Sequence, residues 1–121
     1  KAEKVKGRDP DRWRRDAFGN VVFRKFVGCP GCNCYDYDHI FPYSKGGKST
    51  LENCQVLRVS FNRSKGNKIE VSKTDLIQKS IKKTPYCRVL SGQEMDLIEL
   101  SAFGNIQRDP EFHDSRGCSI Q

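Results

Sequence analysis

An α+β fold is predicted, in which a β-hairpin packs on a helix and further helices lie N- and C-terminal to that core. Three observations predict it. Short β-branched and aromatic runs at 21–27, 35–41 and 55–58 stand between turn-forming residues. From about Ser60, directly after the last run, the pattern turns helical. Two Ser-led capping boxes, Ser72-Lys73-Thr74-Asp75 and Ser91-Gly92-Gln93-Glu94, then open further helices. The 121 residues suffice for one domain with one modest core.

In chain order, residues 1–8 are rich in Lys, Arg, Gly and Glu and read as a basic disordered arm. A single domain is expected over 9–110, with its motif core at 29–68, and a loose tail over 111–121. Asp9-Pro10 reads as a helix start, with Asp as cap and Pro in the first turn. That short helix carries Trp13, a core anchor, and Phe18, and stops at Gly19-Asn20. A strand over 21–27 and a turn from Cys29 to Cys34 follow. The strand at 35–41 is ended by Pro42, and Ser44-Lys45-Gly46-Gly47-Lys48-Ser49 is a loop. A strand at 55–58 leads into a helix broken near Gly66-Asn67. The helix to about Lys83 has an apolar face of Leu76, Ile77 and Ile81. The last helix carries Met95, Ile98 and Phe103, with Leu97 and Leu100 beside them, and Gly104 stops it. The echo between Ala17-Phe18-Gly19-Asn20-Val21 and Ala102-Phe103-Gly104-Asn105-Ile106 is isolated and reads as coincidence.

The chain is 31% charged, with net charge +7, pI near 9.2 and mean hydropathy −0.72. No apolar run approaches a membrane span and no signal peptide opens the chain, so no membrane partner is expected. Residues 1–83 hold 19 Lys and Arg against 9 Asp and Glu, whereas residues 84–121 hold 3 against 6. A basic body with a mildly acidic end fits a polyanion docking on the first two thirds, although a solubilising surface explains the charge equally well. Of six cysteines, three crowd into Cys29-Pro30-Gly31-Cys32-Asn33-Cys34. The even count permits disulfides, but a tight knuckle in a basic chain points to metal or reduced thiols, and so to an intracellular, reducing setting. Cys87 and Cys118 show no partner motif and read as buried thiols; His113 in the tail carries no role.

The chemistry concentrates between Asp36 and Lys68, where Asn53 follows His39 by 14 positions and Asn62 follows it by 23. Hydrolysing a phosphodiester requires a base for water, and an imidazole such as His39 suits that. The transition state gathers negative charge, which a hard divalent cation on oxygen ligands stabilises. Asp38 supplies a carboxylate and Asn62 a carbonyl oxygen, leaving positions open for water and phosphate. Lys65 shares a helix face with Asn62 at i,i+3 and can hold the same phosphate. Asp38 and His39, as neighbours on a strand, point to opposite faces, so local twisting or strand fraying is expected there, with the metal at the edge between them.

Asp38-His39-Ile40-x-Pro42-x-Ser44-x-Gly46-Gly47, Leu51-Glu52-Asn53-Cys54-Gln55 and Asn62-Arg63-x-Lys65-Gly66 together resemble the HNH nucleases, also called ββα-metal or His-Me nucleases. The third motif position is Asn62 rather than His, as in the HNN variants, and the spacing is similar to the HNH domain of RNA-guided CRISPR effector nucleases. With Arg12-Trp13-Arg14-Arg15-Asp16-Ala17-Phe18-Gly19-Asn20 included, the chain looks most like small HNH proteins from plants. The resemblance implies a ββα-metal core with His39 as general base and Asp38 and Asn62 on one divalent metal, Mg²⁺ or Mn²⁺. It implies that Asn53 holds the hairpin loop and orients His39. The substrate would be DNA, double-stranded, cut to 5′-phosphate and 3′-hydroxyl ends.

One departure concerns zinc. Cys29 and Cys32 match the first of two C-x-x-C pairs seen in many relatives, but the second would fall at Arg58 and Phe61. Two cysteines do not close a tetrahedral site, so structural Zn²⁺ is not expected and Phe61 fills the space by packing. Arg63, Lys65, Lys68, Lys45 and Lys48 are the nearest phosphate contacts, with Arg12, Arg14 and Arg15 further off. No base-reading motif is present, so sequence preference should be weak. A monomer or weak dimer with one such site should nick. The competing readings are a catalytically idle nucleic-acid-binding module and an interaction domain using the acidic C-terminal helices.

Overall fold

The computed structural model describes residues 2–68 and 72–109; the expected tail, with His113 and Cys118, lies outside them. The chain is mixed α+β. Strands β1 (Glu3–Lys4), β2 (Trp13–Arg15) and β3 (Val21–Phe23) form one antiparallel sheet in that order, and β4 (Tyr35–His39) pairs with β5 (Cys54–Arg58) in a second. Three helices follow: α1 (Val59–Lys65), α2 (Lys73–Lys83) and α3 (Gly92–Phe103).

The N-terminal third departs from the sequence expectation. Residues 3–4, expected in a free arm, pair with β2. Arg8 is buried, donating to Glu99 at 2.9 Å and to Asp96 at 2.6 Å. The Asp9 cap is used, but for a single turn: its carbonyl accepts from the Arg12 and Trp13 amides and its carboxylate from the Asp11 amide. The chain then extends, because Trp13, Arg14 and Arg15 pair with Phe23, Val22 and Val21. So short a helix has little stability of its own, and the ladder and the packing of Trp13 on Phe23 (ring centroids 4.6 Å apart) win. Gly19, at φ +87°, makes the hairpin turn rather than a helix stop. Asp16 pins that turn by accepting from the Phe18 and Asn20 amides.

Two apolar clusters hold the elements. Val5, Trp13, Phe23 and Met95 join the first sheet to α3, while Leu57, Phe61 and Leu76, with Phe18 against them, join the hairpin to α1 and α2. Phe61 packs as expected. Both later helices start at their Ser caps, and α3 has both halves of its capping box. Their buried faces are less apolar than the pattern implies. Leu97 and Leu100 of α3 are exposed while Glu99 is fully buried; Ile77 and Ile81 of α2 are exposed while Ser80 is buried. No helix among the described residues is long and apolar enough to cross a membrane.

The cysteines also differ from expectation. Cys29 is disulfide-bonded to Cys34, and Cys32 to Cys87. The knuckle is therefore neither a thiol pair nor half of a zinc site, and Cys87 is not an isolated thiol. The sequence reading missed the second pairing because Cys87 is 55 residues from Cys32. Cys54 is the free thiol among the described residues.

Candidate active site

The site grows from the β4–β5 hairpin and the helix that follows it. The ladder runs in register from Tyr35 opposite Arg58 to His39 opposite Cys54, so of the twisting or fraying expected at Asp38-His39 the fraying does not occur. Strand alternation therefore sorts the side chains. Asp36 and Asp38 meet α1: Asn62 Nδ2 donates to Asp36 at 3.0 Å, and Lys65 Nζ lies 3.0 Å from Asp38 Oδ2. Gln55, across the ladder, also donates to Asp38 Oδ2 at 2.9 Å. Tyr35, Tyr37 and His39 take the other face. Burial, and then a hydrogen bond with Tyr37, push the Tyr35 phenol up to about 12.

The i,i+2 step of Asp36 and Asp38 thus matches the i,i+3 step of Asn62 and Lys65. An ionised carboxylate only accepts hydrogen bonds. Asp36 therefore fixes the Asn62 amide with its nitrogen inward, leaving Oδ1 as the acceptor. Lys65, expected at a phosphate, is 3% exposed and also donates to the His39 carbonyl at 3.2 Å. It is a buried counter-ion, not a surface contact.

The loop between the strands is tied by Asn53. Its Oδ1 accepts from the Phe41 amide at 2.7 Å, and its Nδ2 donates to the Phe41 and Lys48 carbonyls at 3.0 and 2.8 Å. Asn53 touches the loop backbone and reaches His39 only through it. The imidazole is held instead by Ser49, whose Oγ is 2.9 Å from Nε2. Although Asp38 and His39 leave opposite faces, both border an opening of about 210 Å³ at the strand end, along with Tyr37, Tyr43, Gly66 and Asn67.

Of the expected phosphate contacts, Lys45, Lys48, Arg63 and Lys68 are exposed. Arg12 is not: it is buried, donating to Glu99 at 3.0 Å and to Asn105. Arg14 is spent on the Pro10 and Ala2 carbonyls and Arg15 on that of Gly19. The sequence reading did not single out Asp36, Ser49 or Gln55. Asp36 was findable, since it stands two residues before Asp38 and so shares its strand face; Ser49 and Gln55 gave no such signal. Compared with models of protein families, with curated proteins and with solved structures, the chain has no match.

Proposed function

We propose that this chain is a metal-dependent DNA nicking endonuclease of the HNH type, with β4, β5 and α1 as its ββα-metal core. One observation carries the reading: Asp38 and His39 border the same opening, while Asn62 and Lys65 stand on the helix face that meets Asp36 and Asp38. The donor set suits a hard divalent cation. Both available ligands are oxygens, and neither Asp38 Oδ1 nor Asn62 Oδ1 takes part in a hydrogen bond with the described residues. Asp38 and Asn62 would hold Mg²⁺ or Mn²⁺, which when bound supplies positive charge to the phosphate oxygens in the transition state.

The chain's own residues do the rest. His39 takes the proton of the attacking water at a ring nitrogen, and Ser49 holds the ring's direction. Asp36 aims the Asn62 amide, and Lys65 holds Asp38 in place. The exposed Lys45, Lys48, Arg63 and Lys68 draw the backbone in without reading bases. One contact favours a second reading, an idle DNA-binding module: the Lys65 ammonium already balances Asp38.

Relaxation of supercoiled plasmid separates the two. With Mg²⁺ or Mn²⁺ the wild type should nick, chelator should abolish nicking, and His39→Ala should slow it about 100-fold or more. DNA binding without metal-dependent nicking would instead establish the idle module, and neither activity would remove both readings.

A further inference from the structure

Around the candidate site several large apolar side chains are exposed. Tyr37 is 62% exposed, Tyr43 74% and Leu51 89%, and Ile40 and Phe41 are also exposed. Single exposed apolar residues are ordinary; a run of them rimmed by polar groups marks a contact surface. Here the run has an order. Tyr37 and His39 stand two apart on one strand face, about 7 Å along the chain. The Tyr43 ring centroid lies 5.9 Å from that of His39. All three rings border the opening shared with Asp38.

The rim is cationic. Lys45 and Lys48 are exposed in the loop that carries Tyr43, and no acidic residue stands between His39 and Leu51. Aromatic faces interleaved with lysines complement a chain of flat bases joined by phosphates. They do not complement a duplex: paired bases stack on one another and offer their edges in the grooves, not their faces.

We propose that Tyr37 and Tyr43 form a base-stacking platform beside His39, so that the strand this site receives is unpaired DNA. The proposal rests on the nuclease reading for its placement at the site, and it replaces the duplex expected from the sequence. Tyr37 and Tyr43 are specificity residues that grip bases flanking the phosphate. Neither takes a proton or holds the metal.

The test is fluorescence anisotropy in chelator, so that nothing is cut, with a labelled mixed-sequence oligonucleotide used single-stranded and as a blunt duplex. The wild type should bind the single strand at least about tenfold more tightly, since each stacked base contributes a factor of roughly 5 to 160. Tyr37→Ala and Tyr43→Ala should each lose about that factor on the single strand and little on the duplex. Tyr37→Phe and Tyr43→Phe should keep it, and Leu97→Ala, at an exposed position of α3, should leave it unchanged. Equal or tighter duplex binding by the wild type overturns the platform with no variant needed, as does Ala binding like wild type. Metal-dependent cleavage of the same single-stranded oligonucleotide and of supercoiled plasmid is measured separately. Tyrosine-dependent single-strand binding without metal-dependent cleavage upholds the platform and removes the nuclease. Cleavage with tyrosine-independent binding upholds the nuclease and overturns the platform.

Discussion

Single residues decide whether the loop over the site has a shape. Gly47 is one: a Cβ there would lie 1.8 Å from the Phe41 carbonyl oxygen, so no other residue fits without moving the backbone. Asn53 is the other. Its carboxamide both accepts and donates, which is what the Phe41 amide and the Phe41 and Lys48 carbonyls require together. Asn53→Asp keeps only the accepting half and sets a negative oxygen against two carbonyls. We expect both Asn53→Asp and Asn53→Ala to cost about 1–3 kcal/mol in urea unfolding and to depress nicking, with Asp no better than Ala. Rescue by Asp would show that only the Phe41 amide matters. The sequence marked Asn53 as a candidate for the proposed site, because it stands in a spaced series with His39 and Asn62. Its partners were not legible, since a loop backbone 5 and 12 residues away leaves no pattern in side-chain types.

At the scale of elements, caps and alternation were the dependable signals. Ser91 accepts from the Glu94 amide while Glu94 accepts from that of Ser91, so α3 begins where four residues said it would. The Arg88 guanidinium, with the Ser91 amide next, holds the Glu94 carboxyl down from 4.5 to about 2. A folded value below the unfolded one means the interaction stabilises fully above pH 4.5 and is lost as the pH falls through about 2. We expect the Glu94 carboxyl carbon to titrate near 2 by NMR, and Arg88→Ala to move that midpoint up towards 4.5. Titration at the ordinary value in the wild type would show that the pair does not persist in solution. Local pattern failed at Trp13–Arg15, where a valid cap gave one turn and the partner strand Val21–Phe23 took the rest. A cap signals where a helix can start; whether it continues depends on what the next residues can pack against.

At the scale of the molecule, two long-range ties hold the ends together. One is Glu99, fully buried and bonded to Arg8, Arg12, the Trp13 indole and the Gln107 amide. Burial pushes its carboxyl up, but those donors outweigh it and hold the group below the usual range. The other is the disulfide from Cys32 to Cys87, which fixes the turn leading into β4 to the segment between α2 and α3. Closing a loop of 55 residues removes unfolded-state entropy equivalent to about 4 kcal/mol, against about 2 for the 5-residue loop of Cys29–Cys34. We therefore expect Cys32→Ser with Cys87→Ser to lower unfolding stability by about 2–4 kcal/mol, and more than Cys29→Ser with Cys34→Ser. Equal losses would assign the effect to the native state instead of the unfolded chain.

By itself the sequence determined what short-range physics determines: the strand-forming runs, the Ser caps, the glycine turns, and the spacing that gathers Asp38, His39, Asn53 and Asn62 into one motif. Only the tertiary structure decided that the N-terminal segment is a strand. It also decided that Glu99 is a core residue, that Cys87 pairs with Cys32, and that Asp36 holds Asn62 while Lys65 holds Asp38. The reason is distance along the chain. Caps and periodicities act over a turn or a few residues, whereas Arg8 meets Glu99 across 91 positions. Contacts of that reach are settled by which buried charges and thiols can be satisfied together once the layers close.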